Sequence, residues 1–188
     1  MTLVPPPVGA GCLLVALPTL IDPNFDRTVV LVLAHDAADG ALGVVLNRPS
    51  DTEVAEPLPQ WAPLAAQPGV VFLGGPVGAT AAIGVARGTG VAGNGWAPVA
   101  GHLGTVDLGL HPEELPAPVD AVRVFSGYAG WGPGQLESEI DQGAWLVVDG
   151  APDDVLCSDP ARLWRLILRR QGGRTAWLAN WPLDPRTN

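Results

Sequence analysis

Apolar runs in this chain are short, and glycine, proline, aspartate, asparagine or histidine stops each of the main ones. Residues 12–17, 28–34, 42–46 and 70–73 are rich in valine and leucine, and none is long enough for a typical helix. Such runs predict strands. Thr28-Val-Val-Leu-Val-Leu-Ala34 is apolar almost throughout, a pattern that suits a strand covered on both faces. His35-Asp-Ala-Ala-Asp-Gly40 follows it, and the Asp-Gly pair predicts a tight hairpin-like turn. Further strands are expected at residues 81–86, 105–108, 121–125 and 144–148. Helices are few. One begins at Ser158-Asp-Pro160, where Ser158 or Asp159 can cap and proline suits the first turn. Its stripe is Leu163, Trp164, Ile167 and Leu168, with Arg162, Arg165 and Arg169 opposite, and Gly172-Gly173 ends it. A shorter helix is expected over residues 135–142. With 24 glycines and 20 prolines in 188 residues, turns must be frequent and elements short. The chain reads as one α+β domain, its first eight residues or so a flexible tail.

Composition narrows the chemistry. The net charge is −9, which disfavours contact with a phosphate backbone. The only dense basic group is Arg162, Arg165, Arg169, Arg170 and Arg174. All ten basic residues are arginine, so no lysine can form a Schiff base, act as general base or serve a P-loop. Two cysteines, Cys12 and Cys157, make neither a disulfide framework nor a zinc cluster. The first charged residue is Asp22, and Pro18 breaks the early apolar stretch, so neither a signal peptide nor a membrane span is expected. The expected compartment is the cytoplasm. No cofactor and no metal are expected.

Several motifs invite a functional reading. Gly88-Thr-Gly-Val-Ala-Gly93 fits a dinucleotide fingerprint, but Asn94-Gly-Trp-Ala-Pro98 cannot open the helix that a pyrophosphate needs, so it reads as a loop. Gly127-Tyr-Ala-Gly-Trp-Gly-Pro-Gly-Gln-Leu-Glu137 precedes a helix whose first turns carry Glu137, Glu139 and Asp141. Those carboxylates would repel a phosphate, and the segment reads first as a compact turn, second as a ligand ledge built from Tyr128, Trp131 and Gln135. Arg27 begins one strand, and Asn47-Arg48-Pro49 ends another. These polar groups could hold a carboxylate or phosphate, or bond loop carbonyls and an acid such as Asp22. His35 ends the buried run and could pair with Ser126 or a carboxylate, although Phe125-Ser-Gly-Tyr128 is no nucleophile elbow. His102 and His111 have no evident partner. Cys12 reads as a core residue, and Cys157, just ahead of a helix, as a structural thiol.

The blocks Gly11-Cys-Leu-Leu-Val-Ala, Asp22-Pro-Asn-Phe-Asp-Arg-Thr-Val-Val-Leu31, Gly40-Ala-Leu-Gly-Val-Val-Leu-Asn-Arg-Pro49, Phe72-Leu-Gly-Gly-Pro-Val77, the 127–137 segment and Asp159-Pro-Ala-Arg-Leu-Trp164 occur in this order. In that combination the chain resembles the YqgE/AlgH family from about residue 9 onward. The resemblance implies one α+β domain with a strongly bent, partly barrel-like mixed sheet and a few flanking helices. Some family members carry the label of transcriptional regulator, yet no helix-turn-helix is evident here, since Gly-Gly follows the arginine-rich helix. The family brings no agreed catalytic residues. Candidate ligand-binding positions are therefore Arg27, His35, Asn47, Arg48, Tyr128, Trp131 and Gln135. Two functional expectations follow: a non-enzymatic regulatory protein that binds an unknown small molecule or protein, or a cofactor-independent enzyme such as a hydrolase built on His35. Direct nucleic-acid binding is not expected, and a gel shift with duplex DNA should show no complex near physiological salt; a retained complex at that salt would refute this.

Overall fold

The structure is a computed structural model, and it describes residues 7–181. Most of the expected tail lies outside the described residues; Val8, at its end, packs half-buried against the core. Strands β1 (Cys12–Ala16), β2 (Val29–Asp36) and β3 (Gly40–Val45) form an antiparallel meander. The expected Asp-Gly turn joins β2 to β3, with Asp36 paired to Gly40 and its Oδ1 accepting the Ala38 N–H at 2.7 Å. Then come β4 (Pro49–Glu53), β5 (Val70–Leu73), β6 (Val77–Gly88), β7 (Trp96–Ala100), β8 (Leu103–Val106) and β9 (Val119–Trp131). Helix α1 (Gln135–Asp141), β10 (Trp145–Asp149), α2 (Pro152–Val155), α3 (Pro160–Gln171) and α4 (Gly173–Leu178) complete the described chain.

One strongly curled, half-barrel sheet carries the strands in the order β10-β1-β2-β3-β9-β6-β8-β7. Along one edge β9 pairs with β6; along the other it pairs with β5 over Phe125 and Ser126, then with β3 over residues 129–131. The β5–β9 pair is parallel and the rest are antiparallel, so the sheet is mixed. Register shifts interrupt the pairing between Val32 and Ala34 and between Val77 and Ala82, and such bulges increase local bend and twist.

Burial explains the apolar runs. Every residue of β1 is buried. Leu13, Val15, Val29 and Leu31 face a core shared with α3, while Cys12, Leu14, Val30 and Val32 face a second core with Trp131, Leu136 and Trp145. Strand alternation thus sends successive side chains to opposite covers. Each buried side chain of this size contributes about 1.5–3 kcal/mol relative to exposure. The expected stripe of α3 is the buried one: Leu163, Trp164, Ile167 and Leu168. Asp159 occupies its N-cap without a side-chain cap bond, so capping by Ser158 or Asp159 is not what holds this end. Gly172 (φ 71°) does stop α3, but the short helix α4 starts directly after it. At six residues α4 is about 9 Å long, far short of a recognition helix.

Three other expectations need correction. The 127–137 segment is not one compact turn: its first five residues are the end of β9, and the turn is confined to residues 132–134. Pairing to β3 and β6 overrides the weak strand propensity of glycine there. Gly127 adopts φ 74°, and a Cβ at that position would lie 2.7 Å from the Gly75 carbonyl oxygen, so only glycine fits. Strand β4 is mostly exposed and polar, which hid it from an apolar pattern. Strand β7 contains Pro98, tolerated because β7 ends the sheet.

Arg123 of β9 is 2% exposed. Its Nη1 donates to the carbonyls of Val155 (3.2 Å) and Cys157 (2.9 Å), and its Nη2 to Gln67 (2.7 Å). The guanidinium lies over the Phe72 ring at 4.3 Å, and burial lowers its pKa to about 10. One buried cation thereby joins β9 to two distant segments. Arg123→Ala should lower stability by about 2–4 kcal/mol in urea unfolding, because the truncation strands buried carbonyls; a loss below about 1 kcal/mol would show that water replaces the guanidinium.

Candidate functional site

The loop between β1 and β2 organises the surroundings of the candidate residues. Asp22 Oδ1 accepts the Asn24 N–H at 2.9 Å, and the Thr28 hydroxyl donates to the Phe25 carbonyl at 2.9 Å. Asn47 fastens the end of the loop: its Nδ2 donates to the Arg27 carbonyl (2.8 Å) and its Oδ1 accepts the Val29 N–H (3.0 Å). Arg48 Nη2 donates to the carbonyls of Pro23 and Asp26, both at 3.2 Å. The structural alternative for Asn47 and Arg48 is therefore the observed one. They bond loop carbonyls, though not the carboxylate of Asp22.

Two aromatic contacts hold the same loop from opposite faces of the sheet. Phe25 stacks on Trp131 at 6.2 Å and meets Trp145 edge-on at 5.4 Å. Two residues on, the Arg27 guanidinium lies over Trp164 of α3 at 5.4 Å, with Nε 4.0 Å from Asp26 Oδ1. Arg27 has φ 53°, a left-handed conformation that costs a non-glycine residue about 1–2 kcal/mol. The Trp164 indole donates to the Ala16 carbonyl at 2.8 Å, which fixes the surface under the guanidinium.

Around Arg27 and Trp164 lie two adjoining parts of a cleft, whose linings also share Asp26. The larger, about 530 Å³, is walled by Leu17, Leu20, Ile21 and Trp181. The smaller, about 340 Å³, is bordered by Asn47, Arg48 and Arg165. A second cleft of about 520 Å³ is lined by His35, Asp36, Asp39, Tyr128 and Trp131. The two clefts have no lining residue in common. The candidates thus divide into Arg27, Asn47 and Arg48 on one side and His35, Tyr128 and Trp131 on the other, while Gln135 is on neither lining.

His35, on the lining of the second cleft, has its Nε2 2.6 Å from Oε1 of Glu137, which is not on that lining. A backbone hydrogen bond and then His35 lower the Glu137 pKa. Ser126 does not join this pair: its hydroxyl donates to the Ala79 carbonyl, and it sits five residues along β9 from Trp131, the strand neighbour of Ala41, which itself pairs with His35. Five strand positions amount to about 16 Å, so a His35–Ser126 couple is excluded by geometry.

Glu139 is the residue that the sequence reading misplaced. Its Oε2 accepts both indole N–H groups of Trp131 (2.9 Å) and Trp145 (2.8 Å), and its Oε1 accepts Gln135 Nε2 (2.9 Å). Gln135 Oε1 in turn accepts the Gly132 N–H at 3.1 Å. A carboxylate expected to serve the helix dipole instead turns inward. The signal was available: position 139 shares a helical face with Leu136 and Ile140. Phe25, a lone aromatic in a polar loop, and the partnership of Trp164 with Arg27 were likewise missed.

The AlgH-like family pattern (DUF179) matches residues 13–176. The chain belongs to that family. A UPF0301 protein of Streptomyces coelicolor is 54% identical over 183 residues, covering 95% of this chain and 94% of the relative. A UPF0301 protein of Mycobacterium tuberculosis is 46% identical over 185 residues, covering 96% and 91%. Among solved structures, a Corynebacterium diphtheriae protein superposes with a TM-score of 0.86 at 30% identity, covering 94% of each chain. AlgH from Pseudomonas aeruginosa superposes with a TM-score of 0.69 at 27% identity, covering 97% of this chain and 98% of that one. The curled sheet with its few helices is therefore the fold of the AlgH-like family, as the resemblance implied. In this AlgH-like chain, Glu139→Ala should destabilise by about 2–4 kcal/mol, because two nearly buried indole N–H groups lose their acceptor. Glu139→Gln, which keeps an acceptor oxygen, should lose clearly less. Chemical denaturation checks both, and equal losses would refute the account.

Proposed function

We propose that this AlgH-like chain is a non-enzymatic regulatory protein of the cytoplasm that acts by binding a small molecule or a protein, with the Arg27–Trp164 cleft as the binding site. The observation that carries this reading is the commitment of the candidate polar side chains to the protein itself. Asn47 and Arg48 bond the 22–28 loop, Trp131 and Gln135 bond Glu139, and Ser126 bonds a carbonyl. What that scaffold presents to solvent is a cleft of ligand size with apolar walls and guanidinium groups at one end. Among the described residues no helix is long and apolar enough to cross a membrane.

A specific observation favours a second reading. His35 borders a cleft beside Tyr128 and is paired with Glu137 behind it, and a histidine held by a carboxylate is a general-base arrangement. It is the remaining form of a cofactor-independent hydrolase based on His35 and a carboxylate. Two measurements separate the readings. A thermal-shift screen against common metabolites, with pull-down from lysate, should yield a ligand or a specific partner; a ligand at about 100 times its Kd should raise Tm by about 5 °C or more. Turnover of ester or phosphoester substrates that His35→Ala abolishes would favour the second reading, and no thermal shift with no partner would overturn the first.

A further inference from the structure

The two parts of the Arg27–Trp164 cleft differ in chemistry. The larger is apolar, and its outer wall includes Ile21, 94% exposed, and Trp181, 46% exposed. Large apolar side chains left in water along a groove mark a place where something apolar binds. The smaller part is lined by Arg27, Arg48 and Arg165 and by one carboxylate, Asp26; Arg48 contributes charge there while its Nη2 stays bonded to loop carbonyls. That is a local excess of positive charge in a chain whose net charge is −9. The stacked Arg27 and Trp164 belong to both linings, so the apolar wall and the guanidinium groups lie side by side.

We infer that this cleft binds an amphipathic anion, a small molecule with a carboxylate head and a single apolar chain. The head lies among the guanidinium groups, whose planar forks suit a carboxylate, and the chain lies along Leu17, Leu20 and Ile21 toward Trp181. The inference rests on the binding-protein reading above and names the ligand class for the same site. Asp22 and Asp26 also border the apolar part, and they would favour a cation there. The sign of the ligand's charge is therefore the decisive variable.

Decanoate, decanol and decyltrimethylammonium, each below its micellar concentration, supply the same chain with three head groups. Calorimetric titration should show decanoate binding at least about tenfold more tightly than either analogue. Arg165 is exposed on α3, so Arg165→Glu should leave Tm unchanged while weakening decanoate about tenfold and decanol little. Ile21→Asp, also at an exposed site, should weaken all chain-bearing ligands. Arg165→Gln gives an intermediate affinity and guards against a folding defect in the glutamate variant. If decanol binds as tightly as decanoate and Arg165→Glu changes nothing, the anion assignment is overturned while the binding reading survives. Preference for the ammonium compound overturns it likewise. Binding of none of the three overturns this inference outright, and the metabolite and partner screens then decide the binding reading independently.

Discussion

Every side chain of β1 and the first four of β2 are packed, alternately on the two sides of the sheet, so the meander needs two separate covers. Helix α3 supplies one with its Leu163, Trp164, Ile167 and Leu168 stripe. The other is assembled from Trp131, Trp145, Leu136 and Phe25. That second cover contains two indole N–H groups, which need an acceptor away from water, and Glu139 provides it for both. The 22–28 loop touches both covers, through Phe25 on one side and Arg27 on the other. Side-chain bonds from Asn47 and Arg48 hold it between them. The candidate cleft is thus a by-product of how a doubly covered sheet is closed at one corner.

Much of this was legible where packing follows periodicity. The buried run of β2, the hairpin after it and the α3 stripe are local consequences of alternation and helical spacing. Strand β4 was hidden because its residues are mostly exposed and polar, and β7 because a proline interrupts it. The end of β9 was hidden for a different reason: its glycines carry little strand propensity, and pairing to β6 and to β3, more than eighty residues earlier, makes it a strand. Non-local pairing of that kind leaves no trace in a sequence window.

The site was legible in part. The sequence singled out polar residues that the structure divides between two clefts and the scaffold, and it could not say which would face a ligand. Asn47, Arg48, Gln135 and Trp131 were notable because they hold the scaffold, and His35 finds Glu137, a partner 102 residues away. Arginine is used in two distinct ways. Arg123 is buried and its Nη1 and Nη2 donate to carbonyls, whereas Arg27 and Arg165 border solvent-accessible space. Residue type alone does not separate these uses; burial does.

The position of β9 in the sheet bears on the order of assembly. The first 45 residues contain a complete three-stranded meander, yet neither of its edges has a partner nearby in the chain. Beyond the Val45 N–H, which donates to the Gly74 carbonyl, the outer edge of β3 waits for residues 129–131, and the outer edge of β1 waits for β10. During synthesis these apolar strands therefore emerge before their edge partners, and both edges stay incompletely paired until residues 129–131 have been made. A nascent chain of this design exposes strand edges that other chains could join, and its folding is set by long-range closure rather than by local structure.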